Sequence, residues 1–527
     1  MTELEPLSFK TIPQAIRHAA ETYGDKPAII EGANRISYRQ LAALMLKAAA
    51  AFSQAGLAQG DRVAIWAPNG ASWVVAALGA QAAGGCIVPL NTRFKGAEVS
   101  YILNRSRARF LLVTAKFLGE SFKDKLADLD LPALEHVISL PSAEAPEGAE
   151  WSAFLASGAP DAAGRLEAEI DAATGDEISD IMFTSGTTGY PKGVVTSHAQ
   201  NIRTYIQWGR WMSLSAEDRY LIIYPFFHAA GYKAGWLSCF IAGATAYPQP
   251  VLDVELLGEV IRREKITFLP GPPTLFQTLL SATPEARGDL SSIRVANTGA
   301  AAVPPASIAR IRDELGVKSV MTGYGLTETC GTVTLTDQHD GPDIVARYCG
   351  KPLPGVEVRC VDHAGQDVPI EEPGEVIVRG YNVMREYFDD PVATSQAIDA
   401  QGWLHTGDIG ILNAAGYLRL TDRKTDMFIT GGFNCYPAEI ERLMCSNPAY
   451  AQVAVIGVPD ERLGEVGKAF IVAREGETIT PDSVIAWCRQ TMANYKVPRF
   501  VEIVPVLPMN AMGKVQKFIL KGGQKSS

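Results

Sequence analysis

A chain of 527 residues, 47% hydrophobic and 20% charged, is long enough to bury more than one core and has the make-up of a water-soluble globular protein. Its formal net charge of −10 argues against nucleic acid as a partner, and no apolar run reaches the length of a membrane span. The eight cysteines stand singly, none in a C-x-x-C pair, and the opening MTELEPLSFK is acidic and polar; the expectation is a reduced, cytoplasmic protein without a signal peptide or structural metal.

Residues 12–23 and 37–56 read as amphipathic helices, the second carrying Leu41, Leu44, Met45 and Phe52 at helical spacing with Gly56 to end it. A strand at 62–66, a helix at 71–83 and a strand at 86–90 follow, then a strand at 109–113, a helix near 115–127 and a strand at 136–140. Such alternation predicts parallel sheets covered on both faces. From 141 to 176 the chain is rich in Ala, Glu, Gly and Pro, a partly helical surface connection. The apolar run Ile181-Met182-Phe183 ends a buried strand, and the alternation resumes with strands at 220–224, 266–270, 293–297 and 318–323 and helices at 252–263, 273–282 and 304–314. From about 350 short alternating strands at 356–361, 375–379 and 417–420 suggest a small β subdomain. The charged stretch DRKTD at 422–426 marks a boundary, and beyond it helices at 437–445 and 482–494 alternate with strands at 452–458, 468–473 and 500–504. The fold expected is α/β: a large N-terminal domain, 1–422, of stacked α/β sheets plus a small β subdomain, then a small mobile α+β C-terminal domain, 423–527.

The stretch after Phe183 carries the first chemistry. Thr184, Ser185, Gly186, Thr187, Thr188 and Gly189 have little bulk, so their backbone N–H groups can close around an anion, while hydroxyls add donors and Lys192 adds a point charge. By composition alone it is a Ser/Thr/Gly turn, but it follows an apolar strand directly and a lysine closes it. The pattern G-x-x-x-x-G-K-[ST] fails, because Lys192 follows Pro191 and precedes Gly193; a serine-hydrolase elbow fails, because Phe183 and not glycine lies two residues before Ser185.

TSGTTGYPKG at 184–193 resembles the phosphate loop of the adenylate-forming superfamily, which includes acyl-CoA synthetases, luciferases and peptide-synthetase adenylation domains, and further motifs extend the resemblance from about residue 10 to about 520. The resemblance implies that residues 184–189 and Lys192 hold ATP phosphates, with Thr187 catalytic. Tyr324-Gly325-Leu326-Thr327-Glu328 is similar to the family's Y-G-x-T-E: Glu328 would hold Mg²⁺, a cation that favours carboxylate plus phosphate oxygens, Tyr324 would stack on adenine, and Gly325 and Thr327 would contact the nucleotide. Trp403-Leu404-His405-Thr406-Gly407-Asp408 implies that Asp408 holds the ribose hydroxyls, with Arg423 a second ribose contact. Gly299, Ala300 and Ala301 resemble the small-residue segment that admits base and acyl group to the backbone. Pro508-Met509-Asn510-Ala511-Met512-Gly513-Lys514 resembles P-x-x-x-x-G-K, whose lysine bridges the acyl carboxylate and the α-phosphate, where attack of one anion on another needs positive charge.

The family's chemistry makes acyl-AMP and pyrophosphate, then rotates the C-terminal domain and passes the acyl group to coenzyme A. Gly431, Gly432 and Phe433 match the coenzyme A path, and Thr425 falls at the hinge, where relatives carry Asp or Lys. Pro225–Lys233 resembles the acyl-pocket stretch, so His228, Ala229, Gly231, Tyr232 and Lys233 would line the pocket with Thr298 and Gly299. Alanines at 229 and 230 would leave room, and Tyr232 and Lys233 would meet a ring carbonyl. No acidic residue from 225 to 237 is present to pair an amino-acid ammonium. The runs FFHAAGYKAG, LPGPPT, GDIG and GGFNCYPAE resemble bacterial ligases of a bicyclic indane-dione propionate left from steroid rings. Medium-chain and aryl-acid ligases, a luciferase-like oxygenase and a non-catalytic relative are the alternatives, and a homodimer is left open. Lys514→Ala should slow adenylation by on the order of 10²–10³ while preformed acyl-AMP still yields thioester; equal loss in both half-reactions, measured separately, refutes the assigned role.

Overall fold

The computed structural model describes residues 8–522 except 128, 143, 147, 160–161, 185–190, 300–304, 424–425, 431–432, 436, 461, 493 and 510–514; at 305–307, 422–423, 429 and 433–434 it describes the backbone only. Two large sheets form the N-terminal part. The seven-stranded sheet runs in the order Glu386–Tyr387, Lys192–Ser197, Ile178–Thr184, Cys86–Pro89, Arg62–Trp66, Phe110–Thr114, His136–Leu140. Its last four strands are parallel, as their uninterrupted apolar sequences require when both faces are covered. The nine-stranded sheet has six parallel strands at its centre, Ser319–Tyr324, Val295–Gly299, Phe268–Gly271, Arg219–Ile222, Thr245–Pro248 and Pro27–Glu31.

A shared core lies between the sheets. The helix Ala71–Ala82 is buried on every side, as a helix apolar all round must be. It meets the helix Tyr38–Gln54 so closely that a Cβ at Gly79 would lie 2.3 Å from the Ala48 Cβ. Tyr205 and Trp208 of the helix His198–Trp211 complete this core together with Trp73 and Trp236. The connection at 141–176 contains helices Ala149–Ala156 and Ala163–Ala172, whose Trp151, Leu166 and Ile170 bury against the helix Tyr38–Gln54. Among the described residues no helix is long and apolar enough to cross a membrane.

One predicted element is replaced. Instead of a helix near 115–127 the chain makes a hairpin, Lys116–Phe117 with Glu120–Ser121, followed by a short 3₁₀ turn at Asp124–Leu126. Leu118 and Gly119 take φ of 52° and 77°, and two successive left-handed residues close a two-residue hairpin that no helix accommodates. Two strands unread in the sequence matter more. Pro27–Glu31 joins the nine-stranded sheet beside Thr245–Pro248, and Lys192–Ser197 folds back antiparallel on Ile178–Thr184, so the phosphate-loop sequence caps a hairpin.

The β subdomain is an antiparallel sheet in the order Val356–Val361, Gly374–Gly380, Leu404–Leu412, Leu418–Arg423. From Phe428 onward the chain builds a separate five-stranded sheet over its own core of Phe428, Ile440, Met444, Val455, Ile471 and Val484. Gly350 fastens the subdomain to the nine-stranded sheet: its carbonyl accepts from the Leu418 N–H at 2.9 Å, its φ is +95°, and a Cβ there would lie 1.8 Å from the Leu335 carbonyl carbon. Gly350→Ala should therefore cost more than about 2 kcal/mol, combining a left-handed backbone with an overpacked contact. The urea midpoint checks it, and an unchanged midpoint means that the two sheets can separate freely there.

Candidate active site

Three parallel strands end side by side. Gly271 stands opposite Thr298 and Thr298 opposite Thr322, with Gly299 opposite Gly323, so the carboxyl ends of Phe268–Gly271, Val295–Gly299 and Ser319–Tyr324 form one crest. Arg219–Ile222 runs parallel to them and leads to Pro225–His228 on the same side. In open α/β sheets the carboxyl ends of the strands are where ligands bind.

Tyr324 and Glu328 rise from this crest. The buried Tyr324 hydroxyl donates to Asp408 Oδ2 at 2.6 Å, tying the crest to the β subdomain. Burial, and next the Asp408 carboxylate, push the phenol well above its usual range, so it stays a donor. Asp408 stands opposite Arg423 in the strand pairing, which brings those two backbones together. The loop from Gly325 to Thr332 folds tightly: a Cβ at Gly325 would lie 2.3 Å from the Gly331 carbonyl oxygen. Thr327 and Glu328 occupy the 3₁₀ turn Thr327–Thr329, and the Glu328 carbonyl is fixed by the Met384 N–H at 2.7 Å.

Tyr387 was not read from the sequence and sits at the centre of the site. Glu386–Tyr387 adds an edge strand to Lys192–Ser197, with Tyr387 opposite Val194. Its hydroxyl donates to Glu328 Oε1 at 2.9 Å, and Lys192 Nζ lies 5.0 Å from its ring centroid. One phenol thus joins the lysine that closes the phosphate loop to the glutamate of the Y-G-x-T-E motif. Neither Lys192 nor Glu328 forms an ion pair among the described residues.

The acyl-side stretch divides into two. His228 is half-buried, and its Nδ1 accepts the Ala230 N–H at 3.1 Å, which leaves the proton on Nε2. Burial lowers its pKa to about 4, so at neutral pH it is an uncharged donor. Ala229 is packed rather than open: a Cβ at Gly331 would lie 2.8 Å from the Ala229 Cβ, so its methyl already fills that space. Gly231 faces the carbonyl oxygens of Tyr224 and Pro225, each 2.2 Å from where a Cβ would stand. Tyr232 and Lys233 do not meet a pocket. Both are fully buried, and Lys233 pairs with Asp180, because the helical turn beginning at Tyr232 points them down between the sheets. Thr298 is buried at the end of its strand, and its hydroxyl has no hydrogen-bond partner among the described residues.

Thr184 pairs with Lys192 at the end of the hairpin where residues 185–191 connect the strands. Ser185, Gly186, Thr187, Thr188, Gly189, Ala300, Ala301, Thr425, Gly431, Gly432 and Lys514 lie outside the described residues, as do the side chains of Arg423 and Phe433. The flanks of the Lys514 segment are described: Met509 and Val515 pair as an antiparallel bridge, and the Gln516 N–H donates to the Pro508 carbonyl at 2.8 Å.

A crest of parallel strand ends with a hairpin-borne lysine and a glutamate beside it defines an α/β nucleotide-binding enzyme. The family described as AMP-binding enzyme matches residues 16–388, and AMP-binding enzyme C-terminal domain matches residues 439–514. The chain belongs to the AMP-binding enzymes. It is 44% identical over 520 residues, 98% of this chain and 99% of the relative, to a protein of Rhodococcus jostii named as a (7a-methyl-1,5-dioxo-octahydro-1H-inden-4-yl)propanoyl:CoA ligase. A protein of Mycobacterium tuberculosis with the same name is 46% identical over 512 residues, covering 97% of this chain and 98% of that one. Among solved structures, ATP-bound MatB from Rhodopseudomonas palustris superposes with a TM-score of 0.88 at 28% identity, over 98% of this chain and 99% of the other.

Two histidines, His198 buried and His228 half-buried, give the fold a pH dependence. His198 Nδ1 accepts the Ile12 N–H at 3.3 Å, and burial, outweighing the pull of Asp180 and Glu177, lowers it to about 4, as for His228. The unfolded chain takes up these protons near 6.5, whereas the folded protein does so only near 4. Their stability contribution is complete above about pH 6.5 and is lost as the pH falls toward 4. In His198→Gln the slope of unfolding free energy against pH in that window should fall by up to about 1.4 kcal/mol per pH unit; an unchanged slope, from denaturant titrations at several pH values, contradicts this.

Proposed function

We propose that the protein is an ATP-dependent acid–CoA ligase. A carboxylate attacks the α-phosphorus of ATP, releasing pyrophosphate and leaving acyl-AMP; the thiol of coenzyme A then attacks the mixed anhydride and releases AMP. The observation that carries this reading is the Lys192–Tyr387–Glu328 arrangement beside the Tyr324–Asp408 pair, in a chain similar over nearly its whole length to two CoA ligases.

In this reading the hairpin tip, residues 184–189, wraps the phosphates, and Lys192 places a positive charge beside them. Tyr324 stacks on adenine, while Asp408 and Arg423 hold the ribose. Glu328 fits a Mg²⁺ held by one carboxylate and substrate oxygens: it is half-buried, oriented by Tyr387 and free of ion pairs among the described residues. The ion would neutralise phosphate charge. His228 Nε2 offers a neutral N–H to the reacting carboxylate. Its low pKa supports this role, because the donor stays in one protonation state across the neutral range. The boundary at 422/423 and a hinge at Thr425 belong to the same reading, with Lys514 delivered for adenylation and withdrawn for thioester formation. The bridge between Met509 and Val515 holds the two flanks of the Lys514 segment together. Gly431, Gly432 and Phe433 then line the path of coenzyme A. Eight free cysteines support a reducing, cytoplasmic setting.

The acid we assign is a compact bicyclic propionate of the kind in the relatives' names. With Lys233 buried, the Thr298 hydroxyl is the group that can meet a ring carbonyl. A pyrophosphate-release assay with and without coenzyme A, over an indane-dione propionate, octanoate and benzoate, tests the reading. The bicyclic acid should show the highest kcat/KM, and Thr298→Val should narrow its advantage roughly tenfold. Preference for octanoate in the wild type sinks the substrate claim; no pyrophosphate with any acid sinks the ligase reading.

A further inference from the structure

Directly below the acyl-side stretch lies a polar cluster that the chemistry above does not use. Lys233 and Asp180 are both fully buried, with Lys233 Nζ 2.9 Å from Asp180 Oδ1 and 2.9 Å from Thr196 Oγ1. The Thr196 hydroxyl donates to the same Asp180 oxygen at 2.8 Å, and Asn201 Nδ2 donates to the other at 2.8 Å. The Tyr232 hydroxyl reaches that second oxygen at 3.4 Å.

The elements that meet here are the ones that carry the two substrates. Asp180 belongs to the strand Ile178–Thr184, which runs into the phosphate loop, and Thr196 stands opposite it on the strand that starts at Lys192. Lys233 belongs to the wide helical turn Tyr232–Leu237, which follows His228–Gly231 without a break. That turn is irregular, with Gly235 at φ −80° and ψ −107°, so regular helix hydrogen bonding does not fix its rotation. The ion pair helps to fix it, together with the Tyr220 hydroxyl, which donates to the Ala234 carbonyl at 2.9 Å. A buried ion pair adds little stability over apolar side chains of similar volume, but with several directional bonds it can select a single arrangement.

We propose that Lys233 and Asp180 are a positioning pair that sets the reacting carboxylate at its distance from the α-phosphorus. The pair touches neither substrate. It locks the turn behind His228 to the hairpin that presents the phosphate loop, and bond formation between two substrates is sensitive to misplacements of an ångström. This rests on the acyl-side role of His228 in the ligase reading. Once acyl-AMP exists, the covalent bond itself holds the two halves together and the pair is no longer needed.

The test compares Lys233→Met, Asp180→Asn, the double variant and Thr196→Val for Tm, for KM and kcat of adenylation, and for thioester formation from supplied acyl-AMP. Each single change at 180 or 233 leaves a buried group without its partner and should lower Tm; the double variant should regain most of it. Adenylation kcat/KM of the double variant should stay down roughly tenfold or more, while conversion of supplied acyl-AMP stays near wild type. Thr196→Val keeps the ion pair and the volume and should show the same split on a smaller scale, which covers the case of a double variant that does not fold. Wild-type adenylation kinetics in the refolded double variant, or in Thr196→Val should the double variant not fold, overturn the proposal, as does equal loss in both half-reactions. Failure of the underlying reading shows elsewhere: the wild type releases no pyrophosphate, or His228→Ala leaves the acid KM unchanged.

Discussion

The antiparallel pairing of Ile178–Thr184 with Lys192–Ser197 is the constraint on which the site depends, because it sets Lys192 beside the edge strand that carries Tyr387. The hairpin is gripped on two sides. Below, Asp180 and Thr196 are opposed in register and share the Lys233 ammonium. Along its outer edge, Glu386–Tyr387 supplies a further strand, with the Arg385 N–H bonded to the Val195 carbonyl at 2.9 Å and the Phe388 N–H to that of Gly193 at 2.7 Å. That edge strand also delivers Tyr387 to Glu328. Backbone pairing therefore sets where Tyr387 meets Glu328, and side chains refine it.

The same logic links the two sheets and the β subdomain. Tyr324 is the last residue of a central parallel strand, and its hydroxyl ends on Asp408 of an antiparallel strand in a different sheet. Residues far apart in the chain meet because three sheets converge on one crest. None of them needs an unusual conformation of its own.

Much of this was legible in the sequence because buried parallel strands appear as short uninterrupted apolar runs, such as Phe110–Thr114, between helices of clear period. Membership of the AMP-binding enzymes was legible because the strings TSGTTGYPKG and YGLTE are specific as patterns, although each is an ordinary turn by composition. What failed was depth and register. Lys233 follows Gly231 and Tyr232 in a stretch that reads as a pocket wall; sequence neighbours show no sign of Asp180, its counter-ion on a distant strand. Tyr387 lies in REYFDD, which reads as exposed and polar, until strand pairing turns it inward. Leu118 hid a turn because its left-handed φ is rare for such a residue, and glycine was the visible hint only one position later. The partner strand of Pro27–Glu31 is unreadable for a similar reason, since nothing local specifies a pairing with Thr245–Pro248.

The contact between Ala229 and Gly331 has a consequence for which neighbouring position tolerates a larger side chain. The two residues meet with no spare volume, and Gly331 belongs to the tight loop that also carries Glu328. A bulkier residue at 229 therefore pushes on the loop that carries Glu328. Ala230, half-exposed next door, is under no such restriction. A larger side chain thus has room at 230 and none at 229, although the two alanines are adjacent and chemically the same.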